Sequence, residues 1–311
     1  GIKFESLESW YIFRNSSFIL QYEKENNSNN LDLGETIEIN YDFQFDNFWN
    51  LGGGIYRIYS HFDDRKIILD YDEKIFGPSI KIPRVNGSYI SIKSDKRRQF
   101  WAMLSLNRAR NTRNDTEIGN LLELNYKPGT NMNFAVSYDS YRLKKKYHWL
   151  ETLPEEDGNH HIFSDLHRNI DALNLKISGN YNKNISLIAF LELYTNHDKF
   201  IRSTYSEYID EEDYFDMDSD YILGEGDWVM PLTGEKMPVY TTDIDMLNLS
   251  YLDPNLYNGL YPKFSSLIFN SIVKWNYIKG SNIYLVYSAN KSVNGRIFQG
   301  INGFVDFLSF N

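Results

Sequence analysis

Between Ile37 and Asp46 apolar and polar residues alternate without a break: Ile37, Ile39, Tyr41, Phe43 and Phe45 interleave with Glu38, Asn40, Asp42, Gln44 and Asp46. Successive side chains on a β-strand point to opposite faces, so this period of two predicts a strand with one apolar and one polar face. The habit recurs, with lapses, in Phe100 to Asn107, Ile118 to Tyr126, Met132 to Tyr141, Leu173 to Ser178, Ile185 to Thr195, Leu267 to Tyr277 and Ile283 to Ala289. Vaguer segments at Trp10 to Tyr22, Leu51 to His61, Gly87 to Ser94 and Ile301 to Phe310 bring the expectation to about 12 strands. An even number returns both ends of the chain to one side, as in bacterial barrels.

The joints between these segments alternate in length. Short ones lie at Asp46 to Asn50, Asp95 to Arg98, Lys127 to Thr130, Tyr181 to Asn184 and Ile278 to Ser281. Long ones lie at Glu23 to Asn30, His61 to Asn86, Arg110 to Thr116, Arg142 to Asn169, Asp198 to Pro262 and Lys291 to Gly300. A barrel crossing an outer membrane turns tightly on its periplasmic rim and elaborates the other. In Lys127-Pro128-Gly129-Thr130 the proline presets the second position of a type II turn and Gly129 is expected to take the positive φ at the third; Gly280 offers the same freedom in its hairpin. Gly52, Gly53 and Gly54 read as a bend within a barrel strand, since neither a helix nor a second glycine pattern follows to make a phosphate loop.

Composition sharpens the choice of class. Aromatic residues make up 16% of the 311 residues, 24 of them tyrosine, which suits strands whose rings belt a membrane interface. Mean hydropathy is nevertheless −0.49. No run approaches the roughly 20 apolar residues of a membrane helix, and the most apolar stretch, Ile185 to Leu193, is broken by Ser186 and Glu192. A barrel strand shows only alternate residues to lipid, so a spanning barrel can be hydrophilic on average. The absence of cysteine excludes disulfides, thiolate metal sites and a cysteine nucleophile. Gly1 is not an initiator and follows no charged-then-apolar leader, so the chain reads as mature or excised. Net charge is −10, and Tyr205 to Asp245 holds 13 acidic residues against Lys236 alone. Without a basic stripe in the sequence to neutralise phosphates, no nucleic-acid partner is expected.

The fold expected from these patterns is all-β: an antiparallel up-and-down transmembrane β-barrel forming one domain over residues 1–311, with residues 198–262 as a long acidic, aromatic-rich extracellular loop. The strands would form the whole barrel or part of a larger one.

The segment Phe264 to Ser288, reading FSSLIFNSIVKWNYIKGSNIYLVYS, resembles the penultimate hairpin of a Bacteroidota-type family of outer-membrane barrels carried behind a family-nine carbohydrate-binding module. Lys274-Trp275-Asn276-Tyr277 and Gly280 to Tyr287 occupy that hairpin's aromatic strand end, turn and second strand, although Asn276 replaces an acidic residue and Ile278-Lys279 an arginine-proline pair. Gly77-Pro78-Ser79-Ile80-Lys81-Ile82-Pro83 and the hairpin around Asn125 to Pro128 are further echoes in the same order. The resemblance implies the later region of a longer barrel, located in the bacterial outer membrane, and carries no assigned reaction.

Candidate chemistry is sparse. Asp216, Asp218, Asp220 and Asp227 stand at positions 1, 3, 5 and 12 of a calcium loop, but Tyr221 replaces the glycine at position 6 and Asp227 the longer glutamate. The alternative is a solvated acidic loop, and no other cofactor is expected. Trp228, Tyr214 and Tyr221 offer aromatic faces beside acidic groups, as stacking on a sugar ring requires; the alternative is that they pack their own loop. His160, His161 and Asp165 cluster in one connection, yet adjacent histidines on a strand face opposite ways, which opposes joint ligation. Glu38, Asp42, Glu123, Lys176, Glu192 and Lys274 fall on polar strand faces and are expected to line a lumen.

The expected function is therefore non-enzymatic: an outer-membrane barrel serving transport, docking or surface binding, with the lipid bilayer as partner and surface proteins or glycans as further ones. A soluble all-β carbohydrate-binding or scaffold module is the first alternative and an outer-membrane hydrolase, dependent on the histidine cluster, the second.

Overall fold

A computed structural model describes residues 1–6, 8–28, 31–70, 75–77, 79–155, 158–205, 263–278 and 280–294, with backbone alone at 68–70, 147, 150–155, 158–165, 199–205, 263 and 293–294. The chain runs through β1 (Ile2–Ser6), β2 (Phe13–Asn26), β3 (Asp32–Phe45), β4 (Asn50–Ile58), β5 (His61–Asp63), β6 (Ile68–Asp70), β7 (Ile75–Phe76), β8 (Ile80–Ile82), β9 (Val85–Lys93), β10 (Phe100–Asn111), β11 (Thr116–Tyr126), β12 (Met132–Glu155), β13 (Gly158–Asn180), β14 (Ile185–Tyr205), β15 (Lys263–Ile278) and β16 (Ser281–Asn294). Among the described residues there is no helix.

Twelve of these strands form one antiparallel sheet in the order β1-β2-β3-β4-β9-β10-β11-β12-β13-β14-β15-β16, each paired with its neighbours in sequence apart from the detour of β5 to β8. That detour is a nested hairpin in which β5 pairs with β8 and β6 with β7. The sheet is open: β1 and β16 are its edges, and no pairing joins them among the described residues. At the edge, Tyr284, Leu285, Val286 and Tyr287 of β16 are exposed on both faces.

Short joints lie where the sequence places them, at one end of the sheet. The long ones are more varied. Residues 112–115 turn tightly, held by Asn111 Oδ1 accepting from the Arg113 and Asp115 amides. The expected loop from Arg142 to Asn169 is instead the continuation of β12 and β13, which run for 24 and 23 residues. Their pairing slips between Lys145 and His148 and again between Trp149 and Glu151. Regular alternation is enforced only where the two faces of a sheet meet different surroundings. Each slip also breaks the period, and KKKYHWLETLP continues as strand without a period of two.

Two turn expectations divide. Gly280 has φ +85°, as its hairpin requires, whereas Gly129 is not among the glycines with positive φ, so Lys127 to Thr130 is a bend of another kind. Gly52, Gly53 and Gly54 lie within β4, in continuous register with β3 and β9. The strand expected at Ile301 to Phe310 lies outside the described residues, while β1 was not expected: five residues of Ile-Lys-Phe-Glu-Ser are too few to carry a period.

The buried apolar side chains among the described residues are only Ile67, Ile80, Pro83, Trp101, Ala109, Leu166 and Leu193. A soluble domain of 300 residues buries about three quarters of its chain surface around a core. Here the large apolar side chains stand instead on an open sheet face, Ile55 at 58% exposure among them.

Candidate functional site

Register decides what each face presents, because directly paired residues share a face. One row reads Glu38, Tyr56, Gly87, Ala109, Glu117, Leu143, Arg168 and Asp198 across β3 to β14. The next contains Asn40, Gly54, Tyr89, Asn107, Gly119 and Tyr141. Asp42, Glu123, Lys176, Glu192 and Lys274 fall on this same polar face. All six ionisable residues expected to share a surface are thus brought to one side.

Side chains on the polar face lean across glycines of the neighbouring strand. Tyr56 occupies the space a β-carbon would need at Gly87, Asn107 does so at Gly119, and Tyr89 flanks Gly54 while donating its hydroxyl to Asn40 Oδ1 at 2.5 Å. Removing the β-carbon lets a large side chain lean across the strand pair, a device that also lets sheets curve. A groove of about 350 Å³ lies over Gly52 and Gly53 between Asn40, Asp42, Tyr89 and Lys93.

The connection between β4 and β9 caps the far end of this face. β5 lies by β3, and β6 reaches β12, with β4, β9, β10 and β11 between them. Ile67 is 1% exposed, as is Leu166, a polar-face position paired with Lys145. Burial and the adjacent Lys66 ammonium push Lys145 down to about 8. His148 is pushed down to about 4 by burial and then by Lys145. Arg168 grips Asp198 through two bonds, Nε to Oδ1 at 2.7 Å and Nη2 to Oδ2 at 2.6 Å, with the carboxylate buried. A paired, forked ion pair is the form in which a charge tolerates burial.

The opposite face is apolar on every strand of the sheet. It carries Ile2 and Phe4, Phe18 and Leu20, Ile39 and Phe43, Leu51 and Ile55, Ile90 and Ile92, and Leu104 and Leu106 on the first six strands. Leu122 and Leu124, Val136 and Tyr138, Leu173 and Leu175, Leu191 and Leu193, Phe269 and Val273, and Ile283 and Leu285 complete it. Toward the short turns this face ends in aromatic rings: Phe13 lies 5.3 Å from Phe45, Tyr126 stacks on Phe134 at 6.4 Å, and Trp275 stands 6.1 Å from Tyr277.

At the other end it finishes in cations. Arg108, Ile118 and Arg142 stand side by side across β10 to β12; one step further out Arg110, Thr116 and Lys144 do the same. Asn86 pairs with both Arg110 and Arg57, extending the outer row to β4. Arg142 forks onto Asp171 at 2.8 and 2.9 Å, and Tyr138 donates its hydroxyl to the same carboxylate at 2.6 Å. These rows were missed in the sequence. Their signal was a pair of basic residues two apart where an apolar stripe stops, as in Leu104, Leu106, Arg108, Arg110.

Asp216, Asp218, Asp220, Asp227, Tyr214, Tyr221 and Trp228 lie outside the described residues. His160 and His161 are successive residues of β13, paired with Leu153 and Thr152, and so belong to opposite faces of the hairpin; their side chains and that of Asp165 lie outside the described ones. Among the described residues no three His, Asp or Glu side chains gather as a metal cluster. No family model matches the chain, and no curated protein matches it.

Proposed function

We propose that this chain is a membrane-spanning β-barrel, or the larger part of one, of the bacterial outer membrane. Its apolar face meets hydrocarbon and its polar face an aqueous interior, and it serves passage, docking or surface binding without catalysis. The observation that carries the reading is the apolar face running across all twelve strands of the sheet, exposed on most of them and half-buried on β3, β13 and β14, with few buried apolar side chains among the described residues. A spanning strand needs about 9–11 residues, and β4, β9 and β11 have 9, 9 and 11. Every backbone group inside the bilayer must be bonded within the protein, which a continuous ladder achieves once its edges are paired. The capping hairpin and the acidic stretch joining β14 to β15 attach at the end opposite the short turns, where a ligand or partner would be met.

Spin labels at Ile39, Phe43, Phe269 and Val273 in reconstituted bilayers test the reading. Collisions with dissolved oxygen should exceed those with a water-soluble nickel relaxant at all four positions. Labels buried against protein, with the chain remaining in the aqueous phase and migrating identically boiled and unboiled, would favour the soluble module instead.

A further inference from the structure

We propose that the two cation rows at the outer end of the apolar face bind the phosphate groups of a membrane lipid head group. Between β3 and β13 the inner row reads Ile39, Ile55, Ser88, Arg108, Ile118, Arg142, Asn169 and the outer Ile37, Arg57, Asn86, Arg110, Thr116, Lys144, His167. Neither row contains an acidic residue. The nearest carboxylate on this face, Asp171, already holds the Arg142 fork. Arg57, Arg108, Arg110 and Lys144 are exposed. Two of them are oriented by the protein: Arg57 Nε donates to Asn86 Oδ1 at 2.8 Å and Arg110 Nη2 to Asn114 Oδ1 at 2.5 Å.

Adjacent strands lie about 4.8 Å apart, so cations on alternate strands stand roughly 10 Å apart along each row. Such a lattice suits a head group with more than one phosphate, and guanidinium forks match phosphate oxygens bidentately. Position selects the lipid over a dissolved anion. The rows continue the stripe Leu104, Leu106 without changing face, so long basic side chains here reach from the hydrocarbon boundary into the head-group layer. The short-turn end of the same face closes in Phe45, Tyr126, Phe134 and Trp275, so the cation rows in register with the apolar stripe lie at its opposite end.

The inference rests on the membrane reading, and its test separates the two. The full chain is inserted into phosphatidylcholine discs, with heat-dependent mobility as the check on insertion. It is then titrated with a fluorescent diglucosamine lipid bearing two phosphates, and with the same lipid dephosphorylated. Replacing Arg108, Arg110 and Lys144 together by Gln should weaken the phosphorylated lipid on the order of 100-fold. The dephosphorylated lipid should be unaffected, and Lys127→Gln at the other end should change neither. Equal affinity of the inserted triple variant and wild type overturns the proposal while leaving the membrane reading in place. So does an equal loss for both lipids. Complete displacement by millimolar inorganic phosphate overturns the lipid source in favour of a free-anion site. A wild-type chain that does not insert removes the membrane reading, and this inference with it.

Discussion

Leu121 and Leu122 are the same residue in succession on one strand, and the sheet treats them as different substances. Leu121 pairs with Ser105 and Asp139 on the polar face; Leu122 pairs with Leu104 and Tyr138 on the apolar one. Residue type therefore does not assign a role in this sheet. Register does, and a slip of one position would exchange the two faces wholesale.

Placing arginine at each position breaks or sharpens that contrast most directly. On the proposed membrane reading, Leu122→Arg should cost about 2–4 kcal/mol in urea unfolding from bilayers, the range for a charge set on a lipid-facing strand position. Leu121→Arg, set beside Asp139, should cost under about 1 kcal/mol. Equal costs would mean that both faces see water or that both see protein. A smaller effect is expected from the notches of the polar face. Gly87→Ala drives a methyl into the Tyr56 ring and should cost about 1–3 kcal/mol; shortening Tyr56 to Ser in the same chain should return part of it. Gly34→Ala, with nothing within 4 Å of the added carbon, should lie within about 0.5 kcal/mol of wild type.

The smallest effect belongs to the short-turn rim. There Asp95 accepts from Arg97 Nε and Nη2, both at 2.8 Å, while the Arg97 guanidinium lies over the Phe48 ring. Those side-chain bonds hold the carboxyl at about 2, below its ordinary 3.8. A depressed carboxylate stabilises the fold above its unfolded value and loses that contribution as pH falls through the folded one. The difference in urea midpoint between wild type and Asp95→Asn should thus be constant above about pH 4 and vanish toward pH 2. A difference independent of pH over that range would show that the ion pair adds nothing.

Much of the sheet was legible because alternation and turn chemistry are local. The strand at Ile37 to Asp46, the hairpin turn at Gly280 and the polar side that Glu38, Asp42 and Lys274 each take on their own strands all follow from residues within a few positions of one another. The surfaces most specific to this chain were not legible. That Arg57, Arg110 and Lys144 form one row depends on pairings among strands tens of residues apart, where the 59–84 detour shifts every later residue number against the sheet. The buried pairing of Arg168 with Asp198 likewise joins two strands through a register no local pattern encodes. The long reach of β12 and β13 was missed for another reason: their pairing slips twice beyond Lys145, and each slip breaks the alternation that would be read.

A meander can lengthen only at its margins. Ten strands of the main sheet have both neighbours in place, whereas β1 and β16 each have one, and β16 presents Tyr284 to Tyr287 as a ready template. Any strand added to this sheet must dock at one of these two seams. A peptide matched to β16, added during refolding, would therefore occupy that seam and leave the eleven existing ladders zipped.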